Sequence, residues 1–238
     1  LIALPMILTS SPSQAKDGGL NSLQYRPVND GIGVAESGSN ISKNSLNAGL
    51  YMDYSNDAVE LADDENTRIK SVVDDMVTAH AVFNYGITSK FTLGVHIPYV
   101  QKSDLERSMD GYEKAGGELG QLSDVSLLGK YSLTSKRTFA AAVVPVLTLP
   151  TGNPDLLIGD GTASAGALVA ISGSNGRIKW AYNAGYIHRQ KALVLSDDRT
   201  EDIVVQGQLV SIGGVEYKLP ISGLSAASNI QSKFASSN

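Results

Sequence analysis

The chain has 238 residues, with 24 Asp and Glu against 19 Lys and Arg, a formal net charge of −5, 42% hydrophobic and 18% charged residues, 24 Gly, one Trp and no Cys. That length suffices for one sizeable domain, and an ordinary apolar fraction with low charge excludes a disordered chain. The lack of Cys excludes a disulfide scaffold, a thiolate metal site, a Cys nucleophile and a lipid-modified N-terminal Cys, and no Lys/Arg cluster is dense enough to make nucleic acid a partner.

The first elements along the chain are targeting signals. Residues 1–8 are an apolar run that stops at Thr9-Ser10-Ser11-Pro12, and Ser13-Gln14-Ala15 is a small-x-small triplet ahead of Lys16-Asp17-Gly18-Gly19. Residues 1–15 therefore read as the tail of a secretory signal peptide, with a buried N-terminal strand as the alternative, and 16–44 as a periplasmic lead-in. No stretch reaches the roughly 18 apolar residues of a membrane-spanning helix.

From residue 45 onward the sequence alternates with period two, the signature of strands. In 45–54 Leu46, Ala48, Leu50, Met52 and Tyr54 oppose Asn47, Gly49, Tyr51 and Asp53. In 72–85 Val77, Ala79, Ala81, Phe83 and Tyr85 oppose Thr78, His80, Val82 and Asn84, and in 91–100 Phe91, Leu93, Val95, Ile97 and Tyr99 oppose Thr92, Gly94, His96 and Pro98. Segment 122–133 sets Val125, Leu127, Tyr131 and Leu133 against Asp124, Ser126, Lys130 and Ser132, with Leu128 an exception on the polar face. Segment 138–149 is apolar on both faces, 161–172 alternates Ala163, Ala165, Ala167, Val169 and Ile171 with polar or small residues, 177–189 sets Ile178, Trp180, Tyr182, Ala184 and Tyr186 against Lys179, Asn183 and Arg189, and 203–219 keeps Val205, Leu209, Val215, Tyr217 and Leu219 in phase. Eight strands of about nine or more residues result, where globular strands average about five or six.

The connections alternate long and short: 55–71, 86–90, 101–121, 134–137, 150–160, 173–176, 190–200 and a turn at 220–223. Tight turns alternating with long polar loops are the mark of an up-and-down barrel inserted from one side of a membrane, and only a closed sheet satisfies strand backbone groups in lipid. The expected fold is thus all-β, an antiparallel up-and-down transmembrane β-barrel of at least eight strands over 45–238. Alternation assigns Val95, Ile97, Val125, Leu127, Trp180 and Ala184 to the lipid face and His80, His96, Ser126 and Lys130 to the lumen. A further alternating run, Leu224, Ala226, Ser228 and Ile230, follows the eighth strand, so the barrel is expected to need more strands than these eight and not to close the 45–54 strand on the 203–219 strand.

Chemistry is sparse. A turn symmetric about Thr88 would pair residues whose numbers sum to 176, placing His80 opposite His96 in the lumen; a metal or pH-sensitive pair weighs less than two ordinary polar residues. Asp63, Asp64 and Glu65, the pair Asp155 and Asp160, and the pair Asp197 and Asp198 lack EF-hand spacing and read as solvated loop charge. Gly159-Asp160-Gly161 and Gly116-Gly117 are turn chemistry, since no helix follows to hold an anion. Tyr51, Tyr54, Tyr85, Tyr99 and Tyr131 suit an interfacial girdle. No catalytic residues, metal or cofactor are expected, and no enzymatic activity.

Two segments carry a family resemblance. Leu119-Gly120-Gln121-Leu122-Ser123-Asp124-Val125-Ser126-Leu127-Leu128-Gly129-Lys130-Tyr131, followed by Val144-Pro145-Val146-Leu147-Thr148-Leu149-Pro150-Thr151-Gly152-Asn153, resembles the paired signature of Gly-rich outer-membrane barrels. Such barrels stand in front of OmpA-like peptidoglycan-binding domains and form transporters of the phenol-degradation type. The 91–100 strand is similar to the one those families place before the signature, and the likeness spans about 45–222. It implies a structural anchor or passive pore of the bacterial outer membrane, with lipid and lipopolysaccharide as partners and peptidoglycan reached through a C-terminal domain outside this sequence. A soluble lipocalin-like ligand-binding barrel and an outer-membrane barrel enzyme are the rival readings.

Overall fold

The computed structural model describes residues 31–62, 68–105, 117–154, 158–193, 204–220 and 225–236. The ten strands among them are β1 (Leu46–Ala62), β2 (Arg68–Gly86), β3 (Phe91–Leu105), β4 (Gly117–Leu122), β5 (Val125–Lys136), β6 (Phe139–Leu149), β7 (Ser164–Asn175), β8 (Ile178–Leu193), β9 (Val204–Lys218) and β10 (Ser225–Ser236). They form one antiparallel sheet in the order β1-β2-β3-β5-β6-β7-β8-β9-β10, with β4 paired to β3. The sheet curves into a half-barrel.

All eight expected strands are present, and the run after residue 224 is a further one, β10. Strand β9 pairs with β8 and β10, not with β1. Strand β4 lies inside the expected 101–121 loop except for Leu122, its last residue. It and β5 line up along the same edge of β3, β4 against Tyr99–Ser103 and β5 against Phe91–His96, so the two act as one pass broken at Ser123-Asp124. The strands also outrun the apolar pattern. β1 and β2 remain paired out to Ala62↔Arg68, leaving 63–67 of the expected 55–71 loop between them, and β8 continues to Leu193.

Because each pass joins its neighbour, the strand ends joined by 87–90, 137–138, 176–177 and 219–224 fall at one rim. Residues 63–67, 106–116, 150–163 and 194–203 join strand ends at the opposite rim.

The convex face carries the apolar parity and leaves it open: Leu46 is 71% exposed, Leu50 61%, Leu133 59% and Leu209 58%. The concave face is buried and divides in two. Along β6 to β9 it is mainly apolar, with Val144, Leu168 and Ile212 in a cluster joined by Leu128 of β5 and with Ser172, Asn183, Arg189 and Gln208 as the buried polar members of this part. That cluster explains both faults in the alternation, Leu128 and the doubly apolar β6. The non-periodic segment 31–41 lies inside the concavity, where Ile32 and Ala35 complete the cluster, and exposed 42–44 lead out to the turn at Gly86. The stretch expected as a lead-in thus supplies, over 31–41, part of the interior; 1–30 lies outside the described residues.

Candidate functional site

The remaining concave surface is polar, and its charges sit almost wholly out of water. On β2 and β3, Thr78, His80, Asn84, Thr92 and His96 are buried, as are Asp53 on β1 and Lys130 and Ser132 on β5. Ser126 is half-buried and meets Thr148 of β6, hydroxyl to hydroxyl, at 3.0 Å. All four residues assigned to the lumen therefore share the concave face.

The histidine pair is close, but not in the expected register. His80 faces Pro98 and His96 faces Val82, so paired numbers sum to 178, not 176. The turn causes the shift: Thr88 Oγ1 accepts the amides of Lys90 and Phe91 at 3.1 and 2.9 Å, and the Ile87 amide bonds the Phe91 carbonyl, centring the hairpin one residue later. The two rings are therefore diagonal neighbours, within reach for long side chains. His80 Nδ1 and His96 Nε2 share a hydrogen bond of 2.9 Å, the rings stack 5.1 Å apart, and His80 Nε2 bonds the Asp53 carboxylate. The polar parity of the first strand already contained Asp53.

A second group ties the inner segment to the wall. Glu36 and Lys130 form an ion pair with both side chains fully buried. Lys130 Nζ also donates to the Ser39 carbonyl at 2.8 Å. Asn183 of β8 grips the Glu36 backbone from both sides, accepting its N–H at 2.6 Å and donating to its carbonyl at 2.8 Å, as a neighbouring strand would. Gly38 passes so close to β6 that an added Cβ would lie 2.4 Å from the Ala140 carbonyl oxygen. Glu36 escaped the sequence reading because its segment has no period.

A third group lies toward the long-connection rim. Asp124 accepts the amides of Gly152 and Asp160 at 2.9 and 2.7 Å, and Thr151 Oγ1 donates to the Ser123 carbonyl at 2.7 Å while accepting the Val125 amide at 2.9 Å. The two segments of the resemblance are thus bonded to each other, and Gly159 is required where a Cβ would sit 2.6 Å from Asp124 Oδ1. Asp160 pairs with buried Arg189 at 3.5 Å, and Arg189 donates to Gln208 at 3.2 Å. Asp63, Asp64, Glu65, Asp155, Asp197 and Asp198 lie outside the described residues. Among the described residues no three His, Asp or Glu side chains group as metal ligands.

Val95, Ile97, Val125, Trp180 and Ala184 are half-buried and Leu127 is 40% exposed, all on the convex parity. Tyr85 and Tyr131 stand on that face near the turn rim, and Tyr54 and Tyr99 are mid-strand because β1 and β3 continue beyond them. Tyr51 departs from the expected girdle: it takes the concave parity opposite His80 and lies over Gly49.

The two rims differ in charge. Segments 40–47, 85–92, 133–140, 173–180 and 214–220, which make the turn rim, contain seven Lys or Arg and one acid, Glu216. The sequences joining the strands at the other rim are acidic, such as Asp63-Asp64-Glu65 and Asp197-Asp198.

Fold and interior define an all-β antiparallel half-barrel with an apolar convex face and an ionic concave one. No family model matches the chain, and no curated protein matches it in sequence.

Proposed function

We propose that this chain forms the wall of a bacterial outer-membrane β-barrel, a structural anchor whose lumen is filled by its own segment 31–41 rather than an open transport channel. The observation that carries this reading is the inverted surface. Leu, Phe and Tyr side chains stand exposed on the convex face, while His80, Lys130, Asn183 and Arg189 are buried behind them. Water would favour the reverse arrangement, whereas lipid favours this one. A convex apolar stretch of about nine residues per strand suits a tilted transmembrane strand. A soluble lipocalin-like barrel would turn its apolar parity inward. Lipid and lipopolysaccharide acyl chains are then the partners of Val95, Ile97, Val125, Leu127, Trp180 and Ala184.

The test is spin labelling of single-Cys variants after reconstitution into liposomes. Labels at positions 95, 97, 127 and 184 should be quenched by oxygen in the bilayer, and labels at 80 and 130 should not. The reverse pattern, or extraction from cell envelopes without detergent, would refute the proposal.

A further inference from the structure

A cleft of about 270 Å³ opens at the turn rim between the inner segment and the ends of β5, β7 and β8. Its floor is a chain of hydroxyls: Ser37 Oγ lies 2.7 Å from Ser39 Oγ and 3.1 Å from Ser172 Oγ. The backbone fixes that chain, since the Gly38 amide donates to Ser172 Oγ at 3.0 Å and the Ser39 amide to Ser37 Oγ at 3.1 Å. Three hydroxyls sharing two mutual hydrogen bonds leave one proton unused. Ser37 and Ser172 are buried and Ser39 is the least covered of the three, so the chain directed from Ser172 through Ser37 to Ser39 presents its remaining donor at the open end. The cleft's charged lining is entirely basic: Lys136, Arg137 and Lys179. Of these, Lys179 also reaches Glu216 at 3.7 Å. A bulge between Ser132 and Thr134 changes the strand's parity, placing Ser135 on the same face as its partner Ala140, at the cleft wall.

We propose that this cleft binds a phosphate group, with the Ser39 hydroxyl as neutral donor and Arg137, in the turn at its mouth, as the charged clamp. Anionic phosphate oxygens, two with a charge of −1 in a diester and three with a charge near −2 in a monoester, match one fixed hydroxyl donor and a guanidinium fork. The excess of basic residues around the rim raises the local concentration of any such anion. Two sources carry this chemistry, a free phosphate-bearing solute and the headgroup of an anionic phospholipid at the membrane surface. The proposal goes beyond the membrane reading; its headgroup source rests on that reading and its solute source does not.

The Trp180 ring stands on the convex side of the same rim, over Gly173 and against Phe139, so occupancy is read from heat and from the ligand rather than from fluorescence. The full chain, folded in a phosphate-free maltoside detergent, is titrated with inorganic phosphate and separately with phosphatidylglycerol, each against sodium chloride at equal ionic strength. A saturable heat in isothermal titration calorimetry is expected in at least one arm, together with broadening of the ligand's phosphorus NMR line. Arg137→Gln should weaken binding about tenfold or more, and Ser39→Ala by a few-fold. Response to inorganic phosphate identifies a solute site, and response to phosphatidylglycerol alone identifies a headgroup site; both uphold the proposal. It is overturned if neither probe gives saturable binding in calorimetry or NMR, if sodium chloride reproduces the heat, or if Arg137→Gln binds as the parent does.

Discussion

Lys130 is held by one carboxylate and one carbonyl in a place that water does not reach, which makes its partner expensive to remove. Glu36→Ala should lower stability by about 3–5 kcal/mol, because an ammonium would remain buried with only the Ser39 carbonyl against it. Replacing both residues, Glu36→Leu with Lys130→Met, should recover most of that loss; urea unfolding of lipid-reconstituted protein measures both. The histidine chain makes a different prediction. With Asp53 ionised, His80 donates from Nε2 and accepts at Nδ1, which obliges His96 to donate from Nε2. Nitrogen NMR should find both rings as the Nε2–H tautomer, and Asp53→Asn should abolish that uniform preference. Asp124 serves two amides, so Asp124→Ala should cost about 1–3 kcal/mol for each donor it strands, read out as faster proteolysis within 150–163.

At the scale of elements, alternation made eight strands legible before any coordinates, because one face had to be apolar and the other polar from end to end. It failed where the contrast disappears. Beyond the apolar band β1, β2 and β8 mix polar and apolar residues without a regular alternation, yet their hydrogen-bond ladders continue, so the sequence suggested loops where pairing persists. Strand β4 is six residues long and is interrupted at Ser123-Asp124, too short for a period to emerge. Register failed for a local reason, the Thr88 hydroxyl bonds that move the hairpin centre by one residue. Of the interior, the wall residues His80, His96, Ser126 and Lys130 were readable, but the inner segment that pairs Lys130 was not, because nothing periodic marks it. The faces themselves can be tested on one strand. Val95→Arg should cost about 2–4 kcal/mol if that position lies at the bilayer midplane, measured by refolding into liposomes.

The whole molecule combines a lipid-compatible outside with an inside that is already occupied. Planar-bilayer recordings of the parent protein should show little conductance. Deleting 31–41, or loosening its grip through Asn183→Ala with Glu36→Gln, should raise conductance by freeing the ionic wall for water. Strand direction carries one more consequence. Counting β4 and β5 as one pass, the sheet contains nine, and they alternate without a break between the basic rim and the acidic one. An odd number of alternations starts and finishes with the same sense, so β1 and β10 both climb away from the basic rim. A seam made by joining these two strands directly would be parallel, alone among the seams of the sheet. An antiparallel seam takes an odd number of intervening passes, whatever chain supplies them, and the first of these must descend toward the basic turns.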